Sequence, residues 1–344
     1  SETKLPITGR AIAGVPLGRL QNRGEAVQIL TGALMPDGPG GKRPDTVVMI
    51  EDCLVDGEVV FLPEGIYRGA NCRLLGEDIQ CGETILRTGC RLRPQEIGLA
   101  ASIGCDHLQV MVPLKVAVFS TGNEVLDPGD SLFDGAIYDS NRYTLMQLLK
   151  SVGCEVVDLG ILEDDPKIIA DALLSATIKY DLILTSGGVS TGEEDHVRKV
   201  VENEGSLLFW RLAIKPGRPV ALGQINDTVF IGLPGNPVAA MVTFLQIARP
   251  IILKLSGAND TVPKLFSVQS DFSYKKKLHR REYVRVQIKK NGNGKLIAKK
   301  YKREGAGILS SMVFADGFVE LSEDIVNVEK GDFVNYIPFS ELGL

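Results

Sequence analysis

The chain has 344 residues, 44% of them hydrophobic, and its 43 acidic side chains outnumber 38 basic ones to leave a formal net charge of −5. Length and apolar content support about two or three domains with buried cores. The acidic balance argues against a nucleic-acid surface spread over the whole protein and leaves room for local basic pockets that meet small anionic partners.

In chain order, residues 1–80 read as a small β domain. Strand-like pieces "AVQIL" (26–30), "TVVMIE" (46–51) and "EVVFL" (58–62) alternate with Gly/Pro loops, the longest being "PDGPGGKRPD". Residues 81–112 read as a linker segment whose stretch "LRPQEIGLAASIG" spaces its apolar positions for one helix. From 113 to 257 strands and helices alternate: "KVAVFS", a helix from Asn141, "EVVDLGI", a helix from Pro166, "DLILTS", a helix near His196, a β pair around "LFWRLAIKPGRPVALG", "TVFIG", and a long helix after Asn236. That alternation predicts an α/β domain, a central doubly wound, mostly parallel sheet with helices on both faces. Residues 258–344 return to β texture, with "EYVRVQI" alternating and "NGNG" supplying hairpin chemistry, and predict a barrel-like domain.

The helices of the central block follow from spacing. Leu145, Leu148, Leu149 and Val152 form one apolar stripe stopped by Gly153; Asp165 caps a helix with Pro166 at its first position and Ile169, Leu173 and Ala176 buried; Val197, Val200 and Val201 face inward before Gly205. The stretch Val238 to Leu255 is apolar nearly all round, as for an enclosed helix, and Gln246, Arg249 and Pro250 argue against a membrane span. Six cysteines (Cys53, Cys72, Cys81, Cys90, Cys105, Cys154) stand apart without a Cys-x-x-Cys pair and the three histidines are scattered, which fits reduced cytoplasmic thiols better than disulfides or a zinc site.

In a parallel sheet, ligands gather where strands end and helix amino termini converge. Four loops fall at that edge: Ser120-Thr121-Gly122-Asn123-Glu124, Glu163-Asp164-Asp165-Pro166, the run from Ser186, Gly187 and Gly188 through Ser190 to Asp195, and Pro234-Gly235-Asn236-Pro237. The glycine-rich run offers amide N–H groups suited to a phosphate, although the same composition also makes ordinary turns. Glu124, Asp164 and Asp195 would repel one another unless they held a cation, and magnesium accepts carboxylate and phosphate oxygens together. Lys215 and Arg218 add positive charge beside a rigid Pro-Gly turn. The stiff turn Pro234 to Pro237 would present its backbone to a ligand with little ordering entropy.

These motifs resemble a known family. "STGNEV", "IYDSN" (137–141), "LGILEDDP", "LTSGGVSTGEED", "KPGRP" and "LPGNPVAA", with "LTGALMPDG" (30–38) and "GEDI" (76–79) before them, follow the order and approximate spacing of the molybdopterin molybdenumtransferases, a module also similar to the end of gephyrin. The resemblance implies a molybdopterin-binding domain flanked by β, linker and barrel-like domains in an extended homodimer. It also implies magnesium-dependent insertion of molybdenum from molybdate into adenylated molybdopterin with release of AMP. By motif position, Asp164 and Asp195 would hold magnesium with Glu124 at the pterin or metal site, and Lys215 and Arg218 would meet anionic groups. Thr121, Gly122, Ser186 to Gly188, Ser190, and Pro234 to Pro237 would shape the pocket, and Asp78 with Thr31 and Arg73 would reach the site across the dimer. A molybdopterin adenylyltransferase is the implied partner; no nucleic-acid or membrane partner is.

The chain departs from the family pattern at several points. Members usually carry an upstream segment with an Asp-Gly-Tyr-Ala motif whose aspartate serves the active site. This chain starts at Ser1, downstream of it, so turnover and dimer packing are expected to depend on that segment. Asn123 stands where an aspartate is usual, Arg211 where a lysine is common and Ala306 where a serine is common. Two alternatives are an adenylyltransferase, which the flanking domains argue against, and a gephyrin-like scaffold that binds receptor peptides.

Overall fold

The structure, a computed structural model, describes residues 3–189 and 196–344. The chain falls into two units, Ser1–Ile85 and Leu86–Leu344. In the first, strands β1 (Thr3–Ala11), β2 (Ala26–Ile29), β3 (Leu54–Asp56) and β4 (Val59–Leu62) line up in the order β2-β1-β4-β3. Between β3 and β4, Gly57 turns the chain at φ 60°, a left-handed value that glycine adopts without steric cost. The segments at 26–30 and 58–62 form strands as expected, but "TVVMIE" does not. Its backbone is satisfied outside any ladder: the Val47 N–H donates to Ala70 O at 2.9 Å and the Val47 carbonyl accepts from Asn71 Nδ2 at 2.9 Å. Strand β1 lies within the predicted β domain but is not among the strand-like pieces named there, since Pro6 and Gly9 interrupt its pattern.

The second unit opens with helix α1 (Pro94–Ser102), as its spacing predicts. Six strands then form the central sheet: β5 (Lys115–Thr121), β8 (Glu155–Leu162), β9 (Leu182–Ser186), β10 (Ser206–Arg211), β12 (Pro219–Ile225) and β13 (Thr228–Leu233), in the order β10-β12-β13-β9-β5-β8. β8, β5, β9 and β13 run parallel, and β12 and β10 add an antiparallel margin. Short β6 (Val125–Leu126) and β7 (Ile137–Tyr138) pair beyond β5, while β11 (Ile214–Lys215) leaves the sheet to pair elsewhere.

Both faces of the sheet are covered, so its strands read as unbroken apolar runs. Val116, Val118, Leu182 and Leu184 point into one core with α2 (Asn141–Ser151) and α5 (Pro237–Thr243); Ala117, Phe119 and Ile183 point into the other with α3 (Pro166–Thr177) and α4 (His196–Glu204). The predicted buried positions of α3 and α4 are the ones observed, and Asp165 accepts from the Lys167 and Ile168 N–H groups as cap. Gly205 ends α4 for a reason other than a left-handed turn: a Cβ there would sit 2.1 Å from Gln224 O on the neighbouring strand.

After α5 the helix passes through a π-helical segment, Phe244–Ala248, into α6 (Arg249–Leu255). Pro250 supplies no N–H to the preceding turn, and a widened turn accommodates that gap. By length and composition the stretch Pro237–Leu255 could cross a membrane, but 61% of its apolar window is buried inside the protein.

The chain ends in a closed five-stranded barrel. β14 (Phe266–Ser270), β16 (Arg281–Lys290), β17 (Leu296–Lys300), β18 (Gly317–Leu321) and β20 (Phe333–Pro338) pair as β16-β17-β14-β20-β18, and β18 returns to β16. β15 (Tyr274–Lys275) and β19 (Asn327–Val328) form a small side pair, and "NGNG" turns β16 into β17. Tyr283, Phe318 and Ile337 of the barrel join the core that α2 and α5 share with the sheet, so barrel and sheet are packed as one body.

Candidate active site

Register brings the four loops together. Ser120 lies opposite Ser186, Ser186 opposite Leu233, and Thr121 opposite Leu162, so β5, β9, β13 and β8 end level. A cavity of about 830 Å³ opens between this edge and the barrel. Thr121, Gly122, Glu124, Asp164, Gly187, Gly188, Pro234, Gly235 and Asn236 line it from the sheet side, and Lys215, Arg218, Tyr274, Arg285 and Lys300 are among the residues facing them.

The loops are held by hydrogen bonds from beneath. Asn141 Nδ2 donates to Ser186 Oγ at 2.8 Å and to Gly235 O at 2.7 Å, and Ser186 Oγ donates to Pro234 O at 3.0 Å. The rest of the "IYDSN" motif fixes that asparagine: Asp139, 4% exposed, accepts from the Arg142 N–H and guanidinium, which also binds Asp158 at 2.7 Å and Asp127. The stiff turn before α5 is pinned from the barrel side, where the otherwise orphaned Val238 N–H donates to Ala306 O at 2.9 Å. Gly188 sits at φ 64° with its absent Cβ only 2.6 Å from Val197 Cγ2, so the glycine-rich loop hugs α4.

Charge is divided between the walls. Glu124 and Asp164 occupy the strand-end side, where the Thr121 hydroxyl donates to Asp164 at 3.4 Å. On the other side the Lys215–Pro216 bond is cis, and Lys215 Nζ lies 3.3 Å from Glu282, a carboxylate only 1% exposed. Burial pushes the Glu282 carboxyl up, but hydrogen bonds from Tyr274 and Arg280 and the charge of Lys215 outweigh it and hold it below the ordinary range. Lys300 pairs with Glu304 at 2.6 Å and lowers that carboxyl too.

Arg285 is different. The residue is 8% exposed, lines the cavity, and leaves its Nε buried without a hydrogen-bond partner. Burial lowers its pKa from the usual value. A buried donor of this kind costs about 1–3 kcal/mol while it lacks an acceptor, and the guanidinium sets a positive charge at the cavity wall.

Of the residues singled out in the sequence, Ser186 lies buried just beneath the lining and Pro237 starts α5. Ser190 and Asp195 lie outside the described residues. Thr31, Arg73 and Asp78 belong to the first unit, where all three are exposed. Among the described residues no three His, Cys, Asp or Glu side chains cluster as a metal site. The sequence reading omitted the barrel's contribution, Tyr274, Glu282, Arg285 and Lys300, and the supporting role of Asn141.

The chain is similar to known proteins along most of its length. Residues 2–104 match the MoeA N-terminal region (domain I and II), 117–254 a probable molybdopterin binding domain, and 267–339 the MoeA C-terminal region (domain IV). A molybdopterin molybdenumtransferase of Haemophilus influenzae is 37% identical over 343 residues, 98% of this chain and 83% of that protein. Gephyrin of Dictyostelium discoideum is 34% identical over 265 residues, 69% of this chain and 36% of that protein. The crystal structure of the molybdopterin biosynthesis moeA protein from Pyrococcus horikoshii OT3 superposes with a TM-score of 0.78 at 27% identity, covering 97% of this chain and 81% of that one. Since the likeness to the transferase runs through all three matched regions in order and spans nearly every residue, the chain belongs to the molybdopterin molybdenumtransferase family.

Proposed function

We propose that the cavity binds adenylated molybdopterin together with molybdate, and that the protein inserts molybdenum into the pterin dithiolene with release of AMP. The observation that carries this reading is the pairing, within one cavity, of carboxylate-bearing strand ends with a cationic wall that includes the unsatisfied Arg285. The Gly188 amide suits a phosphate, the Gly187 N–H being already donated to Leu233 O at 3.0 Å, and Lys215, Arg218 and Arg285 suit anionic oxygens.

Magnesium is part of the reading, because it takes one or two carboxylates along with substrate phosphate oxygens. Glu124 and Asp164, with Asp195, offer that donor chemistry. Bound there, the ion would neutralise charge on the phosphoryl oxygens as AMP departs. The protein's own groups hold the substrates in place: the Asn141-supported loops fix the pterin side and the cationic wall orients the oxyanion. A homodimer and a cytoplasmic location belong to the same reading.

Chelation tests it. AMP release is expected to stop when divalent ions are removed and to return with magnesium. Asp195→Asn is expected to lower turnover more than pterin binding, as measured by AMP release against equilibrium binding; turnover equal to the parent would take Asp195 out of the reaction.

A further inference from the structure

Lys215 belongs to the α/β domain by sequence, yet its side chain is managed by the barrel. β11 pairs in parallel with β16 and sets Lys215 opposite Glu282. Glu282 Oε1 accepts from Arg280 Nε at 2.9 Å. Its Oε2 accepts from Tyr274 Oη at 2.7 Å, and that phenol oxygen accepts in turn from Lys215 Nζ at 3.1 Å. The hydroxyl therefore stands between ammonium and carboxylate, donating to one and accepting from the other.

A lysine free to approach a buried carboxylate closes to about 2.8 Å and commits its charge there. Here the separation is 3.3 Å, and the Lys215 side chain remains 43% exposed at the cavity wall. An ammonium has three N–H donors; Tyr274 takes one, and Glu282 pairs with the ammonium by charge at 3.3 Å. Tyr274 is itself held by the edge-on ring of Phe272, centroids 6.4 Å apart, and by Lys300 Nζ 5.1 Å from its ring centroid. Burial, with Glu282 beside it, raises the phenol pKa and keeps the hydroxyl a donor.

We propose that Tyr274 is a positioning residue for Lys215: its hydroxyl shares the Glu282 carboxylate and so keeps the lysine ammonium presented to an oxyanion in the cavity. This rests on the assignment of Lys215 to the reaction above. Without the hydroxyl, Lys215 closes onto Glu282 and withdraws from the cavity.

The test is a double-mutant cycle on the full chain, with Tyr274→Phe in the parent and in Lys215→Ala, read by equilibrium dialysis of molybdate and by the KM for molybdate in AMP release. Tyr274→Phe alone is expected to weaken molybdate binding and raise its KM about fivefold to tenfold, the scale of losing one ordinary hydrogen bond. Pterin binding and kcat should change by less than about twofold, and the thermal midpoint should stay within about 3 °C. In the Lys215→Ala background the same substitution should add almost nothing. An unchanged molybdate affinity, an equal loss without Lys215, or a Tyr274→Phe chain that no longer folds would each overturn the proposal. If the parent binds molybdate but releases no AMP, the proposed function fails while the dialysis still decides the role of Tyr274. Failure of the parent to bind molybdate overturns both.

Discussion

Arg285 carries the clearest conflict between stability and use at the residue scale. Its guanidinium is buried with Nε unsatisfied, an arrangement that a fold selected for stability alone would not keep. Arg285→Gln is therefore expected to raise the KM for molybdate about tenfold or more, while leaving the thermal midpoint unchanged or slightly higher. Steady-state kinetics beside a melting curve checks both, and a lowered midpoint with an unchanged KM would mean a structural arginine. The sequence hides this residue for a physical reason. "EYVRVQI" alternates, Val284 and Val286 fill the barrel, and Arg285 on the opposite face reads as solvent-exposed. Only the packing of the sheet domain against that face, through Tyr283, turns it inward. Glu124 and Asp164 were legible because a carboxylate just past a parallel strand has one edge to occupy.

At the scale of elements, helices were easier to read than strands. The stripe Ile169, Leu173, Ala176 and the cap Asp165 appear in the fold as the spacing implies. Asp165→Ala is expected to cost about 1 kcal/mol by chemical denaturation, since it frees two N–H groups at the start of α3. Leu149→Ala, at a position with no exposure between α2 and the sheet, is expected to cost about 2–5 kcal/mol. Short β segments carry less information. "TVVMIE" has strand composition but finds its partners in the loop at Ala70 and Asn71, and such a long-range choice leaves no periodic trace. The π-helical turn before Arg249 is another case: Pro250 announces an interruption, while its form depends on the surrounding core.

Acid response belongs to the whole molecule. Hydrogen bonds from Arg19 and Thr8 hold Glu25 down to about 2, and Arg93 does the same for Glu96, one carboxylate in each unit. Glu282 and Glu323 are lowered as well. Groups lowered in the folded state bind fewer protons there than in the unfolded chain, so their stabilisation is complete above the ordinary value of 4.5 and is lost as pH falls toward 2. At low salt the thermal midpoint is expected to fall progressively below that ordinary value, and less steeply in a Glu25→Gln, Glu96→Gln chain; identical profiles would show that these pairs contribute nothing. The strand–helix alternation of the central sheet and the β texture of the barrel were legible in the sequence, whereas the cavity was only half legible, because the barrel wall reaches it through tertiary packing rather than through motif.

Molybdenum transfer is assigned to the cavity at the sheet edge. It is tested most directly by measuring AMP release from adenylated molybdopterin with molybdate and magnesium, using this chain and a form extended upstream of Ser1, each with and without Asp164→Asn. At least one form should release AMP, and substitution should lower the rate about 100-fold or more, the scale of a lost charge-stabilising group, with pterin binding largely kept. No release from either form, or release indifferent to Asp164, would contradict it.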